Sequence, residues 1–167
     1  MRFKTVFCWV ILFGLLLLSN QCMYYSFSGS MAPHLRSIAI PMFENRTAEF
    51  GIAEELTDYI TQEFTQDNTL KIADAGDADV LLNGTIISVE ERAGGFTDTE
   101  QVQDMKVYLT VAVRCIDQVK KLDLWEQRLT QWGSFEPGGG VEDRAAAVTQ
   151  AIEKISQEIL NKTVSGW

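Results

Sequence analysis

Residues 35–47 read LRSIAIPMFENRT, and the fold is decided there. In an extended chain Ile38, Ile40 and Met42 point to one side, and Ala39, Pro41 and Phe43 to the other. Both sides are apolar, so residues 35–43 read as a first strand covered on both faces. Pro41 has no N–H for a ladder, which places it at the strand end or on an edge. Residues 44–47 break the pattern, and a helix is expected to begin near residues 49–52. Its buried stripe is Ile52, Leu56, Tyr59, Ile60 and Phe64, with Glu54, Glu55, Asp58, Gln62 and Glu63 on the solvent side.

Downstream, residues 69–73 suggest a short strand and residues 74–79 (DAGDAD) a turn. Three aspartates in six residues fall short of a calcium loop, which needs more oxygen donors and a distal bidentate Glu. No metal site is expected. Residues 80–90 form an apolar strand, with Gly84 marking a bulge or the close approach of another backbone. Residues 91–103 read as a polar connection. The clearest pattern follows: Met105, Val107, Leu109, Val111, Val113 and Cys115 alternate with Lys106, Tyr108, Thr110, Ala112 and Arg114. Strict alternation marks a long strand with one face on a core and one polar face. Residues 117–121 turn the chain into a returning strand over residues 122–132. A glycine-rich hinge at residues 134–140 precedes a last helix striped by Val141, Ala145, Val148, Ile152, Ile155 and Ile159.

These elements predict an α+β fold: a single sheet of about four mostly antiparallel strands with two helices packed on one face. A chain of 167 residues, 46% hydrophobic and 22% charged, is ample for one domain with a real core.

The N-terminus carries a sorting signal. Arg2 and Lys4 precede a mostly apolar run over residues 6–18, a length suited to a secretory leader and short for a bilayer span. Cys22 then stands where a lipoprotein is cleaved and acylated, although Gln21 departs from the small residue usual before that cysteine. The expected organisation is a leader over residues 1–21, a lipidated tether over residues 22–34 and one domain over residues 35–167. From Cys22 onward 12 basic residues stand against 23 acidic ones, a net charge of −11, since Arg2 and Lys4 fall in the leader. Such a domain is unsuited to nucleic acid, which demands clustered Lys and Arg.

Catalysis has no visible basis. Cys115 lies on the apolar strand face as a buried thiol, and the one histidine, His34, sits in a loop before the first strand. Adjacent carboxylates such as Glu90 and Glu91 point to opposite faces of a strand. The expectation is a non-enzymatic protein without cofactor.

Taken in order, several short pieces resemble the LptE family of lipopolysaccharide-assembly lipoproteins. They are the leader ending at Cys22, Tyr25-Ser26-Phe27-Ser28-Gly29, Ser37-Ile38-Ala39-Ile40-Pro41 and Phe43-Glu44-Asn45-Arg46-Thr47. Glu54-Glu55-Leu56-Thr57, Ala78-Asp79, Gly84-Thr85-Ile86, Leu124-Trp125-Glu126 and Trp132-Gly133 continue the series. The resemblance implies a small α+β outer-membrane lipoprotein that plugs an LptD-type β-barrel, assists its folding and passes lipopolysaccharide to the outer leaflet. It also implies contact with lipopolysaccharide through basic side chains on the sheet and its loops. The candidates are Arg92, Lys106, Arg114, Lys120 and Lys121, each of which reads equally as ordinary solvated surface. The stretch over residues 38–47 also resembles other envelope lipoproteins, so an accessory of a different assembly or secretion channel is the alternative.

Overall fold

The computed structural model describes residues 32–96 and 102–165. The leader, Cys22 and the segment over residues 25–29 lie outside them. The elements run β1 (Ser37–Ala39), β2 (Glu44–Asn45), α1 (Ile52–Asp67), β3 (Lys71–Ile72), β4 (Val80–Phe96), β5 (Val102–Asp117), β6 (Leu122–Phe135) and α2 (Val141–Ser165). Two helices and one sheet confirm the α+β class. The sheet, however, has six strands rather than about four, in the order β3-β1-β4-β5-β6 with β2 also on β4. It is mixed, not mostly antiparallel: β1 runs parallel to β3 and β4, β2 runs parallel to β4, and only β4-β5-β6 is an antiparallel meander. The physical reason is the helical crossover. A chain that leaves β1, passes through α1 and returns in β3 pairs in parallel. Strands of two or three residues carry no alternation by which to recognise them.

The first strand is correspondingly shorter than residues 35–43. Pro41 ends the pairing, and the chain rejoins the sheet only at Glu44. Between the two pieces Phe43 turns inward and its ring fills the space above Gly84, where any Cβ would collide with it. Gly84 is therefore the site of a close approach, by a ring rather than a backbone, and the nearest of the register shifts between β4 and β5 falls between Ile86 and Ser88 instead. Thr57 binds this segment to α1, accepting from the Phe43 N–H at 3.1 Å. Gly51 adopts the left-handed conformation (φ 76°) that lets the chain enter α1, which ends at Asn68 (φ 56°) with its N–H on the Phe64 carbonyl.

The connection expected over residues 91–103 is mostly strand. Pairing continues through Glu91↔Val107, Arg92↔Lys106 and Ala93↔Met105. Polar composition hid this because Glu90 to Ala93 are all exposed, with no buried alternation to mark a strand, while Glu91 is held by Arg144 of α2.

The core lies between the sheet and the helices. Val107, Leu109, Val111, Val113 and Cys115 are all buried, as their alternation predicts. Ile52, Leu56, Ile60 and Phe64 of α1 and Ala147, Val148, Ala151, Ile152, Ile155 and Ile159 of α2 cover them. The expected α2 stripe is corrected at its start, where Ala145 is exposed and Val141 is 85% exposed. That first turn extends beyond the sheet, and the seam passes instead through Ala147 and Ala151. These small residues bring α2 onto β6 so closely that a Cβ at Gly133 would meet the Ala147 carbonyl. Arg144 locks the end of the stack, donating to Glu49 at 2.6 Å and to Glu91 at 2.5 Å.

Gly133→Ala should therefore cost about 1–3 kcal/mol in urea unfolding, as overpacking against backbone does. Gly76→Ala, where nothing lies within 4 Å, should stay within about 0.5 kcal/mol of the parent.

Candidate functional site

The β4-β5-β6 meander has one face under the helices and one face open. Cross-strand register sorts the open face into rows: Glu90, Tyr108 and Trp132; then Arg92, Lys106 and Ser134; and, towards the β5–β6 turn, Asn83, Arg114 and Glu126. Each row holds side chains within mutual reach.

At the end far from that turn, cations and aromatics interleave. The Arg92 guanidinium lies 5.3 Å from the centre of the Tyr108 ring. Lys106 Nζ is 4.0 Å and Lys154 Nζ 4.2 Å from the centre of the Trp132 ring. Lys154 comes from α2 and reaches the β6 edge, where it donates to the Trp132 carbonyl at 2.7 Å. The ring faces attract both ammonium groups. Arg92 also donates to Glu90 at 2.6 Å, and Lys106 stands 4.0 Å from Asp104, whereas Lys154 has no carboxylate partner among the described residues. Sequence alternation places Tyr108 and Trp132 on the polar face. It has no means of bringing Lys154, on a helix, to the same ring.

Arg114 is brought to the other end of the open face and separated from this cluster. It makes a bidentate pair with Asp123, both distances 2.8 Å, with Glu126 at 3.9 Å. Hydrogen bonding to Arg114 holds the Asp123 carboxyl below its usual range. The neighbouring groove, of about 410 Å³, is lined by Met42, Glu44, Asn83, Thr85, Arg114 and Glu126 among others.

Lys120 and Lys121 sit on the β5–β6 turn, beside the point where the N-terminal segment joins the sheet. His34 Nε2 lies 2.7 Å from Asp117 Oδ2, while Asp117 Oδ1 accepts the Lys120 N–H at 2.8 Å. Asp79 ties down the start of β1, accepting from the Arg36 N–H at 2.9 Å, the Ser37 N–H at 3.1 Å and the Ser37 hydroxyl at 3.0 Å. The aspartate-rich loop thus uses Asp79 as a structural clamp, and Asp74 and Asp77 are exposed. Cys115 is buried on the core face, and burial pushes its thiol up to about 12, so it stays protonated and unreactive at neutral pH.

The lipopolysaccharide-assembly family LptE matches residues 35–163. No curated protein sequence matches the chain. Among solved structures, a protein of Xanthomonas campestris is similar with a TM-score of 0.61 at 12% identity, covering 81% of this chain and 90% of its own. A hypothetical protein of Chlamydia trachomatis has a TM-score of 0.58 at 13% identity over 77% and 95% of the two chains. A minor lipoprotein of Acinetobacter baumannii has 0.53 at 13% over 76% and 91%. At these identities the likeness is one of fold.

The clamps have a pH signature. The Arg36 N–H bond is the largest influence on Asp79 and lowers its carboxyl. Burial works to raise Asp117, but the His34 bond and the Lys120 N–H outweigh it. The stability that both contribute is complete above the unfolded aspartate pKa of about 3.9 and fades as pH falls through the depressed folded values. Asp79→Asn should lower stability at pH 7 by about 1 kcal/mol and flatten the decline below about pH 4, as chemical unfolding at several pH values will register.

Proposed function

The chain belongs to the LptE lipopolysaccharide-assembly family, and from that premise we propose that it is an outer-membrane lipoprotein acylated at Cys22. It seats in the lumen of an LptD-type β-barrel as its plug and takes part in delivering lipopolysaccharide to the outer leaflet. The role is non-enzymatic and rests on shape and surface chemistry.

The observation that carries the lipopolysaccharide half of this reading is the cluster of Arg92, Lys106 and Lys154 on Tyr108 and Trp132. An anionic glycolipid presents phosphates beside flat sugar faces. Cations answer the first, and exposed aromatic rings the second. The net charge of −11 from Cys22 onward repels such a lipid from most of the surface, so contact must be local. Arg114 stands apart from this cluster, its guanidinium fork held bidentately by Asp123. The plug half is supported by the polar open face of the meander, since barrel interiors are polar and wet.

Three measurements test this. The mature N-terminal peptide should carry the mass of an acylated Cys22, and an unmodified peptide beginning later removes the anchor. A tagged chain should recover an LptD-type barrel; a secretin-like or curli-like pore in its place refutes the partner. Charge reversal at Arg92, Lys106 and Lys154 together should reduce lipopolysaccharide bound to the purified complex by about tenfold or more. Arg114→Glu should change it less than about twofold.

A further inference from the structure

We infer that the β5–β6 turn is a membrane-contact element: it rests on an anionic bilayer surface beside the point where the lipid tether enters the fold. The inference builds on the lipoprotein reading above and adds to it the surface that faces the membrane.

Apolar exposure supplies the first support. Val119 and Leu122 are 58% and 54% exposed on either side of Lys120 and Lys121. Two apolar tips flanking two ammonium groups match the interfacial boundary, where alkyl groups enter and charged ends stay at headgroup level.

The distribution of free cations agrees. Arg46, Arg92, Lys106, Arg114 and Arg144 have carboxylate partners. Of the seven Lys and Arg without one among the described residues, Arg36, Lys71, Lys120 and Lys121 lie at this end, and Arg128, Lys154 and Lys162 on β6 and α2. The first four are joined by backbone: the Lys71 N–H donates to the Arg36 carbonyl at 3.0 Å, and the Gln118 N–H to the Asp79 carbonyl at 2.7 Å. Asp79 and Asp117 keep their negative charge inside the clamps, bonded to backbone N–H groups, the Ser37 hydroxyl and His34, so the unpaired positive charge is concentrated at the Lys120–Lys121 tip itself. In an acidic protein, the turn itself presents two adjacent ammonium groups that have no carboxylate partner among the described residues.

Tether length fixes the orientation. The pairing of His34 with Asp117 makes the N-terminal segment enter beside the turn. From Cys22 to Ala32 is ten residues, about 35 Å at full extension. β5 alone has 16 residues, about 53 Å. Standing on its opposite tip, the domain would hold the entry point beyond the tether's reach. The turn end is the one the anchor draws to the surface.

The test uses the full-length chain purified from membranes and reconstituted into vesicles of phosphatidylethanolamine with phosphatidylglycerol, or of phosphatidylcholine alone. An environment-sensitive dye is placed on Val119→Cys or, at the opposite tip, on Val141→Cys. On anionic vesicles the dye at position 119 should be blue-shifted and quenched by lipid-borne nitroxide, and the dye at position 141 should report water. Lys120→Gln with Lys121→Gln should reduce the seated fraction about tenfold or more, each cation being worth roughly fivefold near an anionic surface. Equal seating on phosphatidylcholine overturns the anionic preference. Water-like emission at position 119 in chains that float with the vesicles overturns the inference and leaves the lipoprotein reading intact. A chain that lacks acyl mass and fails to float overturns both.

Discussion

The burial of one face of β5 is the constraint on which the rest of the structure depends. Val107, Leu109, Val111, Val113 and Cys115 are removed from water by α1 and α2, each side chain contributing about 1.5–3 kcal/mol. Because side chains alternate strictly along a strand, that burial leaves Lys106, Tyr108, Thr110, Ala112 and Arg114 facing the other way. The open face follows from the closed one. Gly133, Ala147 and Ala151 set how tightly α2 closes over the sheet, and hence how far Lys154 reaches past the β6 edge to Trp132.

Charge is organised around the same scaffold. An acidic domain must spend some cations on its own carboxylates, and this one does so at defined joints: Arg144 between Glu49 and Glu91, and Arg114 on Asp123. Two further groups of basic side chains fall at the two ends of the meander. One group is stacked on aromatic rings, suited to an anionic ligand with flat apolar faces. The other surrounds a turn with apolar tips, suited to an interface. The separation leaves the domain with two chemically distinct basic surfaces at opposite ends of one sheet.

Much of the fold was legible because its signals are local. The alternation of β5, the stripes of α1 and α2, the turn at the Asp-rich loop and the buried state of Cys115 all depend on near neighbours in sequence. The parallel strands were not legible, since β1, β2 and β3 are too short to alternate and their pairing comes from the α1 crossover. The extension of β4 and β5 through residues 91–96 and 102–104 was masked by polar composition that cross-strand contacts override. Of the candidate basic residues, Arg92 and Lys106 lie together, Lys120 and Lys121 lie on the turn, and Arg114 is tied up by Asp123. No spacing in the chain distinguishes those cases.

By itself the sequence determined the α+β class, the core face of β5, the main apolar stripes of the two helices, the burial of Cys115 and the resemblance to the LptE family. Each of those rests on periodicity, composition or short motifs, which act over a few residues. Only the tertiary structure decided which described cations are paired, that Lys154 joins Trp132, and that His34 docks on Asp117 beside Lys120 and Lys121. Those contacts join residues 22, 83 and 43 positions apart in sequence, as in Lys154 to Trp132, His34 to Asp117 and Arg36 to Asp79. Pairing at that separation is set by how the sheet and helices pack, and no local pattern encodes it.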